Sequence, residues 1–336
     1  DTKDKKLKVA VIGAGHWGKN LIRVFSELGN LAGICDSHGN TVDTLAKKYN
    51  ARVMSFEAVL SSKEITAVVI ATQSEYHFDL AKQALFANKH VFVEKPLTLK
   101  LSDALELKEI SQNKNLKVMV GHLLQYHPVF MKLKELVNNN ELGKVKYIYS
   151  NRLDLGKILT DEDPLWSLSC HDISMILSLA NAAPNKIESD GNFILNNPVS
   201  DSSITKLQFP NGVKAHVFVS WLSPYKERKL VVVGEKAMAT FDETKEDGEK
   251  LCIIDHSENL DQVFPILPKI KPRFIEIEDS EPLTNECMHF IDCIENNKSP
   301  ITNIDEGINV IRVLEEGSKS IEQNKNYYQS TITVMN

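Results

Sequence analysis

The stretch VIGAGHWGKN, Val11–Asn20, decides the fold. It places glycines at 13, 15 and 18 in the pattern G-x-G-x-x-G, with His16 and Trp17 inside the motif. Such a pattern alone is weak; its context gives it meaning. The run LKVAVIG (7–13) reads as a buried strand, and the segment from about Trp17 to Leu28 as a helix. A strand turning through glycines into a helix directs backbone N–H groups and the positive helix end at a phosphate. The first glycine permits the turn, the second admits the phosphate, and the third lets helix and strand pack closely. Asp36 closes the next strand, LAGICD (31–36), where a carboxylate binds both ribose hydroxyls. That carboxylate repels a 2′-phosphate, and Ser37 and His38 supply no arginine, so NAD is expected rather than NADP.

The same grammar continues outward. ARVM (51–54), AVVIAT (67–72), HVFVEKP (90–96) and KVMVG (117–121) read as strands, separated by the helical segments SFEAVLSS, 76–89 and 101–114. Near-continuous Val and Ile runs mark strands covered on both faces, and strand–helix repetition marks a doubly wound parallel sheet. After about residue 125 the pattern changes. Helices are expected at 128–139 and 166–180, followed by several strands, with PNG (210–212) as a hairpin turn. Val213, Ala215, Val217, Val219 and Trp221 alternate onto one face, as in a sheet with one covered side. Helices near 283–296 and 305–323 end the chain. The fold class is therefore α/β: a Rossmann domain over 1–125, then an α+β domain over 126–336 with a large open, mostly antiparallel sheet. Such an open face commonly meets another subunit.

Composition narrows the function. The 336 residues suffice for two domains, and a hydrophobic content of 42% supports real cores. A net charge of −6 argues against a nucleic-acid surface, and no apolar run spans a bilayer. The Lys-rich start is charged rather than apolar, so it is not expected to be a secretory signal. Cys35, Cys170, Cys252, Cys287 and Cys293 form an odd set without zinc-site spacing, which fits a reducing cytoplasm and no metal.

Two further constellations carry chemistry. Glu94 and Lys95 precede Pro96 at the carboxyl end of the fifth strand, where open α/β sheets bind ligands. A lysine there can meet a substrate hydroxyl and the cofactor, although strand-end lysines are commonly only solvated. In WSLSCHDISMILSLA (166–180), Ser167, His171, Ser174 and Ser178 share one helical stripe, so His171 can face a wet cleft and titrate near neutrality. The alternative is a surface histidine without a role. Thr72, His77 and His122 follow strand ends and are expected to line the cofactor cleft, or else to satisfy loop backbone.

VAVIGAGHWGKN, ATQSEYH, VFVEKP and GHLLQYHP, in this order, resemble the Gfo/Idh/MocA oxidoreductases over nearly the whole chain. The resemblance implies an N-terminal Rossmann domain and a C-terminal domain whose open sheet mediates homodimers or homotetramers. It maps the catalytic lysine onto Lys95, within Glu94-Lys95-Pro96, and the helix-borne catalytic histidine onto His171. Many members carry an Asp four residues before that histidine; this chain has Ser167, so the usual relay acid is missing, and Asp172 points to another side of the helix.

The segments 150–177 and 220–242 resemble a narrower branch, the nucleotide-sugar 3-dehydrogenases. That branch oxidises C3 of UDP-N-acetylglucosamine or its uronic acid, and an aminotransferase then makes 3-amino sugars for lipid A or O-antigen. His171 is expected to take the hydroxyl proton while Lys95 polarises the carbonyl, although the roles can be reversed. A UDP-sugar needs cations for its diphosphate, from Arg152, Lys157, Lys226 or Arg228, and an aromatic cover from Trp166 or Tyr126. Three alternatives stand: a uronate 3-dehydrogenase, another sugar dehydrogenase or reductase of the family, and a non-catalytic NAD-binding regulator.

Overall fold

The computed structural model describes residues 6–37, 39–156, 158–159, 162–195, 198–256 and 271–335, without side chains at 39–41 and 326–335. His38 and Lys157 lie outside the described residues. In chain order the first elements are β1 (Val9–Ile12), α1 (Gly18–Glu27), β2 (Leu31–Cys35), α2 (Gly39–Tyr49), β3 (Arg52–Val53) and α3 (Phe56–Ser61). Then come β4 (Ala67–Ile70), α4 (His77–Phe86), β5 (His90–Glu94), α5 (Leu101–Asn113) and β6 (Val118–Gly121). The helix α2, not anticipated from the sequence, is the crossover between β2 and β3. The chain continues through α6 (Pro128–Asn138), β7 (Val145–Leu155), α7 (Pro164–Leu168), α8 (Cys170–Ala180), β8 (Lys186–Asn192), β9 (Ser202–Gln208) and β10 (Lys214–Ser220). It ends with β11 (Leu222–Gly234), β12 (Ala237–Asp242), β13 (Leu251–Asp255), β14 (Arg273–Phe274), α9 (Pro282–Glu295) and α10 (Ile304–Met335).

Two compact units result. The first holds residues 1–126 and 280–311, the second 127–279 and 312–336. The chain therefore returns: 280–311, expected within the second domain, packs into the first. The apolar face of α9 explains this, since Leu283, Cys287 and Phe290 join the core formed by β1, α1 and Phe92. Phe290 meets Phe92 edge-on at 5.7 Å between centroids. Burying an aromatic of that size stabilises by about 1.5–3 kcal/mol.

In the first unit six parallel strands run in the order β3-β2-β1-β4-β5-β6. The order reverses between β1 and β4, which creates the crevice in which such sheets bind ligands. In the second unit eight strands run β14-β13-β12-β11-β7-β10-β9-β8, antiparallel except for β10 beside β7. The PNG turn joins β9 to β10, with Gly212 at φ +89°. Val213, Ala215, Val217, Val219 and Trp221 are all buried on the side where α7 and α8 pack. On the opposite side of β7 and β10, Tyr149 stacks on His216 at 5.4 Å and Tyr147 lies 5.6 Å from the same ring, a half-buried aromatic strip.

Candidate active site

The glycine loop of the first unit fits a dinucleotide phosphate for separate steric reasons at each glycine. Gly13 has φ +99°, and a Cβ there would lie 2.5 Å from the Ala71 carbonyl oxygen at the end of β4. At Gly18 a Cβ would fall 2.1 Å from the Gly13 carbonyl oxygen. Around Gly15 nothing lies within 4 Å of that position. Two glycines thus serve packing, and the third leaves its space to a ligand. The first turn of α1 has no acidic side chain and no side-chain cap, so its amide dipoles remain available to an anion.

This loop borders a cleft of about 800 Å³ lined by Gly13, Gly15, His16, Trp17, Asp36 and Thr72. The Asp36 carboxylate accepts the Ala14 N–H at 2.5 Å, which sets it beside the loop where a ribose would lie. Phe56 and Tyr76 also line the cleft and were not foreseen. Phe56 belongs to no motif, Tyr76 lies within ATQSEYH beside the residues singled out there, and the fold brings the start of α3 and the turn after β4 to this crevice.

Other expected cofactor residues have different duties. His77 is buried, with Nδ1 2.7 Å from the Pro96 carbonyl oxygen and Nε2 3.1 Å from that of Thr72. It braces the loops after β4 and β5 and does not line the cleft. Burial lowers its pKa, against the opposing pull of the two carbonyls. His122 is buried too, and its Nδ1 lies 2.6 Å from Glu306 Oε2. Tyr126 is 2% exposed, its hydroxyl 2.9 Å from Thr302 Oγ1, so it packs inside the first unit and cannot cover a sugar. Burial holds that phenol well above its ordinary range.

Glu94 and Lys95 stand where β5 leaves the sheet. Trp17 Nε1 donates to Glu94 Oε1 at 2.6 Å, and the Lys95 N–H donates to Oε2 at 3.3 Å. Gly121 makes room for this carboxylate, since a Cβ there would come within 2.8 Å of Oε2. Glu94 is partly exposed as a residue, yet burial raises its carboxyl pKa to about 7; the opposing influences are Trp17, Lys95 and His122.

In the second unit the expected helix 166–180 is broken at Ser169. Asp163 caps α7 by accepting the Trp166 N–H at 3.0 Å, and α8 starts afresh at Cys170. The serine stripe is therefore not continuous: Ser167 lies on α7 and Ser174 is buried, whereas His171, in the first turn of α8, remains partly exposed.

The neighbouring Asp172 turns into the sheet and is 1% exposed. Arg152, on β7, donates to it through Nε at 2.6 Å and Nη2 at 3.3 Å, and to Glu243 through Nη2 at 2.6 Å. Ser150 adds a hydroxyl donor to Asp172 at 2.5 Å. The two carboxylates raise the guanidinium pKa against the opposing effect of burial. Arg152, expected to hold a diphosphate, is thus consumed by a buried ionic strap that fixes the start of the His171 helix.

Trp166 is likewise engaged, its indole N–H donating to Ser318 Oγ at 2.8 Å. Of the expected substrate cations, Lys226 is exposed and Arg228 partly exposed, and neither has an ion-pair partner among the described residues. Arg228 stands directly across from Arg152 in the β11–β7 pairing. Among the described residues no cluster of acids, histidines and cysteines could hold a metal, and all five cysteines are free thiols. No described helix is long and apolar enough to cross a membrane.

Comparison with known proteins adds to this geometry. Residues 7–122 match an oxidoreductase family with an NAD-binding Rossmann fold, and residues 130–240 match the GFO/IDH/MocA C-terminal domain. A UDP-N-acetylglucosamine 3-dehydrogenase of Acidithiobacillus ferrooxidans is 24% identical over 290 residues, covering 86% of this chain and 88% of its own. Its solved structure superposes with a TM-score of 0.82 at 22% identity, over 94% of this chain and 98% of that one. An NAD(+)-dependent scyllo-inositol 2-dehydrogenase of Bacillus subtilis is 26% identical over 326 residues, 91% of this chain and 92% of its own. A levoglucosan dehydrogenase solved with NADH and levoglucosan has a TM-score of 0.83 at 16% identity, over 94% and 97% of the two chains.

Proposed function

The chain belongs to the GFO/IDH/MocA oxidoreductase family, and on that premise we propose that it oxidises the C3 hydroxyl of UDP-N-acetylglucosamine. The 3-keto product would feed an aminotransferase making a 3-amino sugar. The observation that carries the reading is the match to a UDP-N-acetylglucosamine 3-dehydrogenase along 86% of the chain. The serine at position 167, in place of the relay acid found in many members, weighs against an inositol substrate.

NAD, when bound, supplies the hydride acceptor. Lys95 holds the reacting oxygen and polarises the emerging carbonyl, while His171 takes the hydroxyl proton. The Arg152 strap keeps the His171 helix at fixed pitch, and with Arg152 engaged, Lys226 and Arg228 are the expected cations among the described residues that stay available to the diphosphate. The half-buried aromatic strip on β7 and β10 suits a homodimer or homotetramer. The free thiols fit a cytoplasmic setting.

The test incubates the protein with NAD and, separately, UDP-N-acetylglucosamine, its uronic acid and scyllo-inositol, following 340 nm absorbance and product mass. Turnover of the first, abolished in Lys95→Ala and His171→Ala, is expected. A preference for the uronate moves the assignment to that substrate, preference for scyllo-inositol rejects the nucleotide-sugar reading, and activity surviving both substitutions removes the assigned site.

A further inference from the structure

Two carboxyl groups from separate elements, one partly exposed and one fully buried, interact at the end of β5. Glu94 has the donors already described, Trp17 Nε1 and the Lys95 N–H. Glu286, on α9, has no solvent exposure, and neither of its oxygens has a hydrogen-bond partner. An ionised carboxylate without a donor in such surroundings is untenable, so Glu286 keeps its proton. Burial imposes this first and the neighbouring Glu94 charge reinforces it. Glu286 is therefore neutral, and whatever negative charge the two groups carry rests on Glu94.

The other groups around Glu94 leave that arrangement intact. Lys95 and His122 favour its ionised form, and His122 is itself held by Glu306 of α10. Tyr126 and Cys287, whose surroundings also include Glu286, both stay protonated well beyond neutral pH.

We propose that the Glu94 carboxyl group, with the neutral carboxyl of Glu286 buried behind it, is the group by which this chain distinguishes oxidised from reduced nicotinamide dinucleotide. A dinucleotide in a doubly wound sheet spans the crevice, with its adenosine ribose at the carboxylate ending the second strand, here Asp36. Its other half runs toward the ends of β4 and β5, where Trp17 ties Glu94 to the cleft wall. The oxidised ring is a cation and the reduced ring is neutral, so Coulomb attraction to Glu94 favours the oxidised form alone. Both forms meet Asp36 and His16 alike. With Glu94 poised around neutrality, binding of the cation drives its carboxyl proton into the buffer, leaving carboxylate and cation paired. The inference rests on dinucleotide binding by the first unit and not on the sugar substrate, so it stands or falls separately from the turnover assay above.

Calorimetric titration of the whole protein with NAD+ and with NADH, at pH 5.5, 7.0 and 8.5 in two buffers of different protonation enthalpy, tests it. The Kd for NAD+ should tighten on the order of tenfold across this range, with net proton release at pH 7, while the Kd for NADH changes less than about twofold. Glu94→Gln should flatten the NAD+ profile and abolish proton release. Glu286→Gln, a neutral amide for a neutral acid, should preserve both. Equal pH dependence for the two cofactors, a comparison needing no variant, overturns the proposal. So does linkage that survives in Glu94→Gln, or linkage lost in Glu286→Gln, which would put the charge on α9.

Discussion

Replacing Arg152 with methionine should destabilise the second unit far more than it affects any ligand contact. The substitution preserves chain length but removes the guanidinium from between Asp172 and Glu243. Asp172, 1% exposed, loses both charge-assisted donors and keeps only the Ser150 hydroxyl. Breaking a buried pair by deleting one partner costs about 3–5 kcal/mol, because the remaining charge has neither water nor a counter-ion. For a unit of this size that corresponds to a melting shift on the order of 6–20 °C. Pairing the change with Asp172→Leu should recover part of the loss, since the stranded charge disappears, with coupling on the order of 1–3 kcal/mol in a double-mutant cycle. Thermal melts and urea titrations of the single and double variants measure this. Stability within about 1 kcal/mol of the parent, with UDP-sugar affinity lost, would refute the strap and return Arg152 to the diphosphate.

The glycines of the loop should separate by role. Gly18→Ala places a methyl 2.1 Å from backbone and should both destabilise the first unit and abolish NAD binding, seen in melts and titration. Gly15→Ala meets no protein atom within 4 Å and should leave stability within about 0.5 kcal/mol while weakening NAD binding about tenfold or more. A third expectation concerns pH. The folded chain holds the Glu94 proton up to about 7, whereas the unfolded chain releases it in the ordinary glutamate range. The folded state thus binds more protons across that window, so this residue's contribution to stability falls as pH rises through it and is fully lost above about 7. Glu94→Gln should remove that slope from melts of the cofactor-free protein recorded between pH 4.5 and 8; an unchanged slope contradicts the assignment.

The Rossmann half was readable because its signals are local. The glycine pattern, Asp36 at the end of β2 and the Val-rich runs each report a backbone requirement within a few residues. The helix α2 escaped because its sequence lacks a sustained apolar run, and the break at Ser169 because an Asp163 cap is indistinguishable in sequence from an ordinary loop acid. The sorting of the polar residues was not legible at all. Arg152, Tyr126, His77 and His122 look like site residues by type, and only long-range partners reveal their structural work: Glu243 lies 91 positions beyond Arg152, Thr302 176 beyond Tyr126, and Glu306 184 beyond His122. The return of α9 to the first unit is another such long-range event, and it supplies Glu286.

The central claim is hydride transfer from the sugar C3 to NAD. UDP-N-acetylglucosamine carrying deuterium at C3, incubated with the protein and NAD, tests it by mass spectrometry of the recovered nucleotide. The account predicts reduced cofactor one mass unit heavier than NADH together with an unlabelled 3-keto sugar nucleotide. Deuterium retained in the sugar while NADH forms, or no reduced cofactor at all, contradicts it.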